Sequence, residues 1–288
     1  SNGLAVLETG SKKGARFMKE WEIKVLYLGH SVGPKSILTP NLDEDLQLEF
    51  PFLAFLIQGH GRNILVDSGG NERFLIDGKG WAGMEFHVGR KYFDKAFEDV
   101  NVAPDEIDTV IYTHLHNDHT GFSYEFKNAR IIVQKKEWAT ILNPIPPMLV
   151  RRDYDLEAIS ELKTTNLTLI DGDMDVVDGI RVFQTPGHTP GSQSVAVNTK
   201  KGVVALVGDQ FHLACMAFPK MNRMLDMNGN TVKITPAPEV YGPFYPHSLV
   251  YNYYDFYDSG YKILSIIEKN DPSYMIGGHE PGLVATGI

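Results

Sequence analysis

Thr113-His114-Leu115-His116-Asn117-Asp118-His119-Thr120-Gly121 is the stretch on which the reading of this chain turns. It follows the apolar run Ile107 to Tyr112 and puts three histidines and one aspartate into the six positions from His114 to His119. Imidazoles and carboxylates are donors for zinc, iron and manganese, so their delivery on one short loop behind a strand predicts a metal site. Side chains alternate with period two in an extended backbone, which points His114 and His116 to one side and leaves Asp118 and His119 beyond the bend. One such loop can feed two adjacent metals. The competing reading is a polar helix start, with Asp118 as N-cap of a helix beginning near His119.

Further donors stand at the ends of other strand-like runs. Ile180 to Gln184 leads into Thr185-Pro186-Gly187-His188-Thr189-Pro190-Gly191-Ser192, where Pro and Gly set a tight turn around His188. Val203 to Val207 leads into Gly208-Asp209, an acid at the end of a buried strand, where a carboxylate without a cation is costly. Ser273 to Ile276 leads into Gly277-Gly278-His279-Glu280. Each of these alone reads most simply as a structural residue; together with the first cluster they read as one ligand set. His87 and His247 carry no such context and are read as ordinary surface or core residues.

The chain has 288 residues, 43% of them hydrophobic, enough to bury a substantial core. No linker, repeat or low-complexity stretch divides it, so one domain over 1–288 is expected, with 1–20 as a flexible N-terminal extension. It starts at Ser1-Asn2-Gly3 without a methionine. No run is long and apolar enough for a membrane helix and no signal core is present, which makes a cytoplasmic protein without a membrane partner the expectation. A formal net charge of −9 argues against an electrostatic hold on nucleic acid. The lone Cys215 excludes an internal disulfide and reads as a small buried hydrophobe.

Strands are expected at 23–28, 52–58, 63–66, 109–113, 129–134, 167–170, 180–184, 194–198, 203–207 and 274–276, and helices at 91–99, 135–142, 153–162 and 258–269. Asp258 or Ser259 is the expected cap of the last helix. This count fits an α/β protein with two packed sheets flanked by helices.

The order of motifs resembles the metallo-β-lactamase superfamily of hydrolases over nearly the whole chain, from about Trp21 to Glu280: His-x-His-x-Asp-His, a Gly-His turn, a strand-end Asp and a late Gly-His. The resemblance implies an αββα sandwich of two mixed sheets with metals at one edge. It also implies that His114, His116 and His188 hold one metal, that Asp118, His119 and His279 hold the other, and that Asp209 bridges them. Asp67, in Ile64-Leu65-Val66-Asp67-Ser68-Gly69, matches the early aspartate that orients a ligand histidine. Two divalent metals are implied, zinc first, with iron, manganese and cobalt also open to such a donor set. A water shared by two such cations is acidified to a hydroxide nucleophile, and Asp118 can receive or relay its proton.

Within the superfamily the chain is most similar to the N-acyl homoserine lactonase branch, through Phe50 to Ile57, Ile64 to Gly69, Ala129 to Gln134 and Thr185 to Ser192. Two positions depart from that branch. Its tyrosine three residues after the bridging aspartate, which assists the substrate carbonyl or leaving oxygen, is His212 here, and the acid after the last ligand histidine is Glu280 in place of aspartate. A histidine can donate the same hydrogen bond or act as acid, so Asp118 and His212 are the expected catalytic residues. The segment 211–257 is dense in aromatics among Pro and Gly and is read as a substrate lid or an interface insertion, with a homodimer left open. Phe211, Tyr241, Phe244 and Tyr245 are its candidate pocket residues, apolar walls with hydroxyl handles, and Phe86, in a Gly-rich stretch with Trp81, Met84 and His87, is read as facing the same cleft. The expected activity is hydrolysis of a small-molecule acyl substrate, a lactone first. A thioester hydrolase resembling glyoxalase II, a phosphoesterase of the same superfamily and a metal-binding protein without activity are the alternatives.

Overall fold

The computed structural model describes residues 18–288; the expected extension falls almost wholly outside the described residues. In chain order the strands are β1 (Glu22–Pro34), β2 (Gln47–Gly59), β3 (Arg62–Val66), β4 (Glu85–His87), β5 (Thr109–Ile111), β6 (Arg130–Gln134) and β7 (Asn166–Ile170). They continue with β8 (Met174–Val177), β9 (Ile180–Gln184), β10 (Gln193–Thr199), β11 (Gly202–Gly208), β12 (Arg223–Leu225), β13 (Thr231–Lys233) and β14 (Met275–Gly277). Seven strands form one sheet in the order β4-β1-β2-β3-β5-β6-β7, five form a second in the order β14-β11-β10-β9-β8, and β12 pairs with β13 apart from both.

Period-two alternation builds the layers. Leu53, Phe55 and Ile57 of β2, with Ile64 and Val66 of β3, pack into one core with Val182, Val195, Val197 and Leu206 of the second sheet. The intervening Ala54, Leu56 and Leu65 face the other way, onto Phe93 and Phe97 of the helix Arg90–Val100 and Ile141 of the helix Lys135–Leu142. Strands buried on both faces need apolar residues at every position, which is why 50–57 reads as a continuous apolar run. Phe256 and Ile263 of the helix Tyr253–Leu264 belong to the first core, completing the α/β sandwich.

Both sheets are mixed, and their parallel pairs position the site. β3 and β5 run parallel, so Asp67 and the 113–121 loop leave the first sheet at the same edge. β11 and β14 also run parallel, so Asp209 and His279 leave the second sheet together. Gly208, between β11 and Asp209, has φ of +52°, and a Cβ there would stand 2.5 Å from Thr113 Oγ1. Only glycine permits the two strand ends to approach so closely.

Three expectations are corrected. The helix expected at 258–269 starts earlier, at Tyr253, because Asn252 caps it by accepting from the Tyr254 and Asp255 N–H groups; Asp258 and Ser259 lie inside it. The helix expected over 153–162 is Ala158–Lys163, preceded by a separate short helix, Pro146–Arg151. Asp153 and Asp155 between them spend their carboxylates on Trp81, Arg151 and Arg73, a turn arrangement that competes with helix. No helix starts near His119, since 117–119 is a turn, which removes the N-cap reading of Asp118. Cys215 is free and buried, its thiol pushed up to about 12 by burial. Among the described residues no helix is long and apolar enough to cross a membrane.

Candidate metal centre

Every donor singled out in the sequence arrives at one place. His114, His116, His188 and Asp209 offer ligand atoms within 4.8 Å of one another, as do Asp118, His119 and His279. Asp209 lies between the two groups. Its Oδ2 is 3.7 Å from His114 Nε2 and 3.5 Å from His188 Nε2, while its Oδ1 is 3.3 Å from His119 Nε2 and 3.0 Å from His279 Nε2. Asp118 sits 3.8 Å from His119 Nε2 and 3.6 Å from His279 Nε2.

The outer nitrogens are spoken for, which aims the inner ones. His119 Nδ1 donates to Asp67 Oδ2 at 2.8 Å, His188 Nδ1 to the Leu249 carbonyl at 3.0 Å and His279 Nδ1 to the Pro51 carbonyl at 2.9 Å. Asp67 also accepts from the Thr113 N–H and hydroxyl, so one buried carboxylate anchors both the start and the turn of the 113–121 loop. Glu137, which sequence reasoning missed, does the same between loops. Its fully buried carboxylate accepts from the Leu115 N–H, the Thr189 and Tyr154 hydroxyls and the Gly191 N–H, tying the 113–121 loop to the His188 turn. A lone glutamate in the first turn of a helix gives no sequence signal for that role.

The donor set fits cations. Seven buried side-chain atoms lack a hydrogen-bond partner among the described residues, and six line this site: His114 Nε2, His116 Nε2, His119 Nε2, Asp209 Oδ1, His212 Nδ1 and His247 Nε2. Buried polar atoms are otherwise almost always paired. Burial pushes His114 and His116 well below the usual imidazole range and His188 to about 3, keeping all three neutral with a lone pair to give. At His119 and His279 burial opposes the charge, but Asp209 and Asp118 outweigh it and raise both. Burial likewise opposes the charge of Asp209, and His212, His279 and His119 overcome it to hold that carboxyl well below its ordinary value. The centre therefore has carboxylate charge to neutralise and neutral nitrogens to offer, the demand that divalent cations satisfy.

A cleft opens onto His116, Asp118, Asp209, His212 and His279. Its apolar wall comes from Phe50, Phe52, Trp81, Met84, Phe86 and Leu249. Of the expected pocket aromatics Trp81 and Phe86 line it, and Phe211, Tyr241, Phe244 and Tyr245 do not. Phe211 and Phe244 are fully buried against each other in the core, and Tyr245 turns its hydroxyl onto the Pro40 carbonyl while packing on Tyr241. Apolar rings gain more from the core than from a solvated cleft, and the segment 211–257 reaches the site only through His212 and 247–249. His212 Nε2 lies 3.1 Å from Asp209 Oδ2. His247 is buried, with its ring 4.4 Å from that of His212 and 5.0 Å from that of His188. Burial pushes it well below the usual range, so it is neutral. His87 is half-exposed and pairs with Glu85. Glu280 turns away from the donors to accept from the Ala214 N–H at 2.6 Å, and burial pushes it up to about 7.

A family model described as the metallo-beta-lactamase superfamily matches residues 50–225. An N-acyl homoserine lactonase of Bacillus thuringiensis is 34% identical over 191 residues, covering 63% of this chain and 70% of that protein. Among solved structures, a quorum-quenching N-acyl homoserine lactone lactonase superposes with a TM-score of 0.70 at 23% identity, over 94% of this chain and 98% of the other. A dizinc quorum-quenching lactonase in complex with the product N-hexanoyl-L-homoserine superposes with a TM-score of 0.65 at 16% identity, over 91% and 88%.

Proposed function

This chain belongs to the metallo-beta-lactamase superfamily, and from that membership we propose that it is a dinuclear metal-dependent hydrolase that opens a small acyl lactone of the N-acyl homoserine lactone type. The observation that carries the reading is Asp209, a buried carboxylate within 3.7 Å of His114, His188, His119 and His279, members of both donor groups, at the floor of an apolar cleft. His114, His116 and His188 would hold one cation, Asp118, His119 and His279 the other, and Asp209 would touch both. Zinc is the first candidate; the same donors accept iron, manganese and cobalt. Two divalent cations held there would supply an acidified water and a Lewis acid for the substrate carbonyl.

The remaining work belongs to the chain's own groups. Phe50, Phe52, Trp81, Met84 and Phe86 exclude water and receive the acyl chain of the substrate. Asp118 is the least buried of the donors and reaches the cleft, where it can take a proton and pass it to the leaving oxygen. His212 faces the same cleft beside Asp209 and donates to the substrate oxygen in the place of a tyrosine. The 34% identity to a protein named as an N-acyl homoserine lactonase supports the choice of a lactone.

The test is a panel of N-acyl homoserine lactones against a panel of acyl thioesters and phosphodiesters, with metal content measured on the same preparation. Lactone opening is expected to dominate and to disappear on chelation. Faster turnover of a thioester or phosphodiester, or lactone turnover that survives complete metal removal, would overturn it.

A further inference from the structure

The aromatic wall of the cleft carries a hydroxyl in its midst. Ser31 stands in β1 with Phe50 of β2 and Phe86 of β4 as its cross-strand partners. Directly paired residues turn their side chains to the same face of a sheet, and both of these rings line the cleft, as Ser31 itself does. Two residues on, Gly33 marks the same face: a Cβ there would stand 2.9 Å from Met84 Cε and 3.1 Å from Ile37 Cδ1, two further residues of the cleft. The wall continues to the metal donors. Phe52 packs on Phe86 with ring centres 4.8 Å apart and edge-to-face on the His279 ring at 5.7 Å.

The other polar side chains of this wall have their protons committed. Trp81 Nε1 donates to Asp153 at 2.8 Å, Asn117 Nδ2 donates to the Arg152 and Asp153 carbonyls, and the Ser248 hydroxyl donates to the Ile37 carbonyl at 2.7 Å. Ser31 is only 6% exposed, and its hydroxyl has no hydrogen-bond partner among the described residues. Its oxygen is nevertheless not one of the sealed, partnerless atoms, so it opens into the cleft. The position gives the fold no reason for a serine. A valine would serve both the strand and the apolar wall better. A donor held in such a place calls for an acceptor, and the cleft is where a ligand brings one.

We propose that Ser31 is a specificity-determining residue whose hydroxyl donates to a carbonyl oxygen on the acyl arm of the substrate. This rests on the lactonase reading of the cleft and narrows it. The preferred lactone carries an oxygen acceptor on its arm, either the amide carbonyl of an N-acyl group or a keto oxygen further along the chain. A lactone with a plain alkyl arm leaves the hydroxyl unpaired against apolar carbon, and a site built around a hydrogen bond discriminates against the analogue that lacks the partner.

The test uses the metal-loaded protein and three lactones with arms of equal length: alkyl, N-acyl and N-(3-oxoacyl). Selectivity is read as kcat/KM relative to the alkyl lactone. S31A is expected to lower the selectivity for carbonyl-bearing arms about threefold to tenfold, as for the loss of one hydrogen bond. A drop already present with the N-acyl arm assigns the acceptor to the amide carbonyl; a drop that needs the 3-oxo group assigns it to the keto oxygen. S31C, of similar shape with a weaker donor, should fall between S31A and the wild type. Calorimetric titration with the three corresponding lactams reads the same ratios as dissociation constants, without turnover. Selectivity that S31A leaves unchanged, or lactams that do not bind at all, would overturn the proposal. If the lactams show the shift but no lactone is opened, the functional reading fails and the Ser31 contact stands.

Discussion

The strand-end loops and the segment 211–257 are both crowded with side chains that carry chemistry, and they use them in opposite directions. In the loops, buried nitrogens and a carboxylate confront one another without partners among the described residues, each an unsatisfied group of the kind that costs roughly 1–3 kcal/mol. In the segment, Phe211 packs tilted on Phe244 and edge-to-face on Phe256 in the core, and the Tyr245 and Tyr257 hydroxyls find backbone carbonyls. The first region gives up stability to hold something from outside; the second supplies stability and leaves the cleft mostly to others. Residue type alone does not tell a binding region from a structural one, but the state of its polar atoms does.

The contrast breaks if a donor proves structural or an aromatic proves functional. Asp209→Ala is expected to have the largest effect on function, a loss of kcat of at least about a thousandfold with metal content falling below two per chain, because it removes the one carboxylate that lies between the two donor groups, a charge worth several kcal/mol under the proposed function. Elemental analysis beside kinetics checks this, and unchanged turnover and occupancy would make Asp209 a structural acid. Phe244→Ala is expected to destabilise the fold by about 3–5 kcal/mol in denaturant titration, through the cavity left between Phe211 and Gly260, while the folded fraction keeps its metal. A rise in KM without loss of stability would instead make the segment a pocket wall. Asp67→Ala should do least, weakening metal affinity about tenfold to a hundredfold by freeing His119 Nδ1. Competition with a chelator measures it, and an affinity equal to wild type would mean that the loop holds its own shape.

The sequence was most legible where chemistry restricts residue type. Histidines and aspartates at the ends of apolar strands could be read as ligands because few other roles suit them there, and the strands themselves followed from runs that must be apolar on both faces. His247 and Glu137 were not legible, since a single histidine after a proline or a single glutamate in a helix has many uses and only the fold shows which neighbours it meets. The aromatics of 211–257 misled for a related reason: composition reports how much apolar surface a segment carries, not which way it faces. The helix Tyr253–Leu264 was displaced in the reading because aromatics and Asp are indifferent helix formers, while the cap that starts it, Asn252, lies before them. The short strands β4, β8, β12 and β13 are too brief for periodicity to register.

The placement of Asp209 and His279 on one sheet, and of Asp67 and the 113–121 loop on the other, makes cation binding a late event in the life of the chain. An unfolded chain carries only the His114 to His119 stretch as a local chelate; the full set exists once both sheets have docked. Bound metal then stabilises the docked state by mass action, more strongly as free metal exceeds its dissociation constant. Metal occupancy is thereby coupled to the sheet–sheet interface, and a core substitution far from the cleft can lower the affinity for metal by loosening that docking.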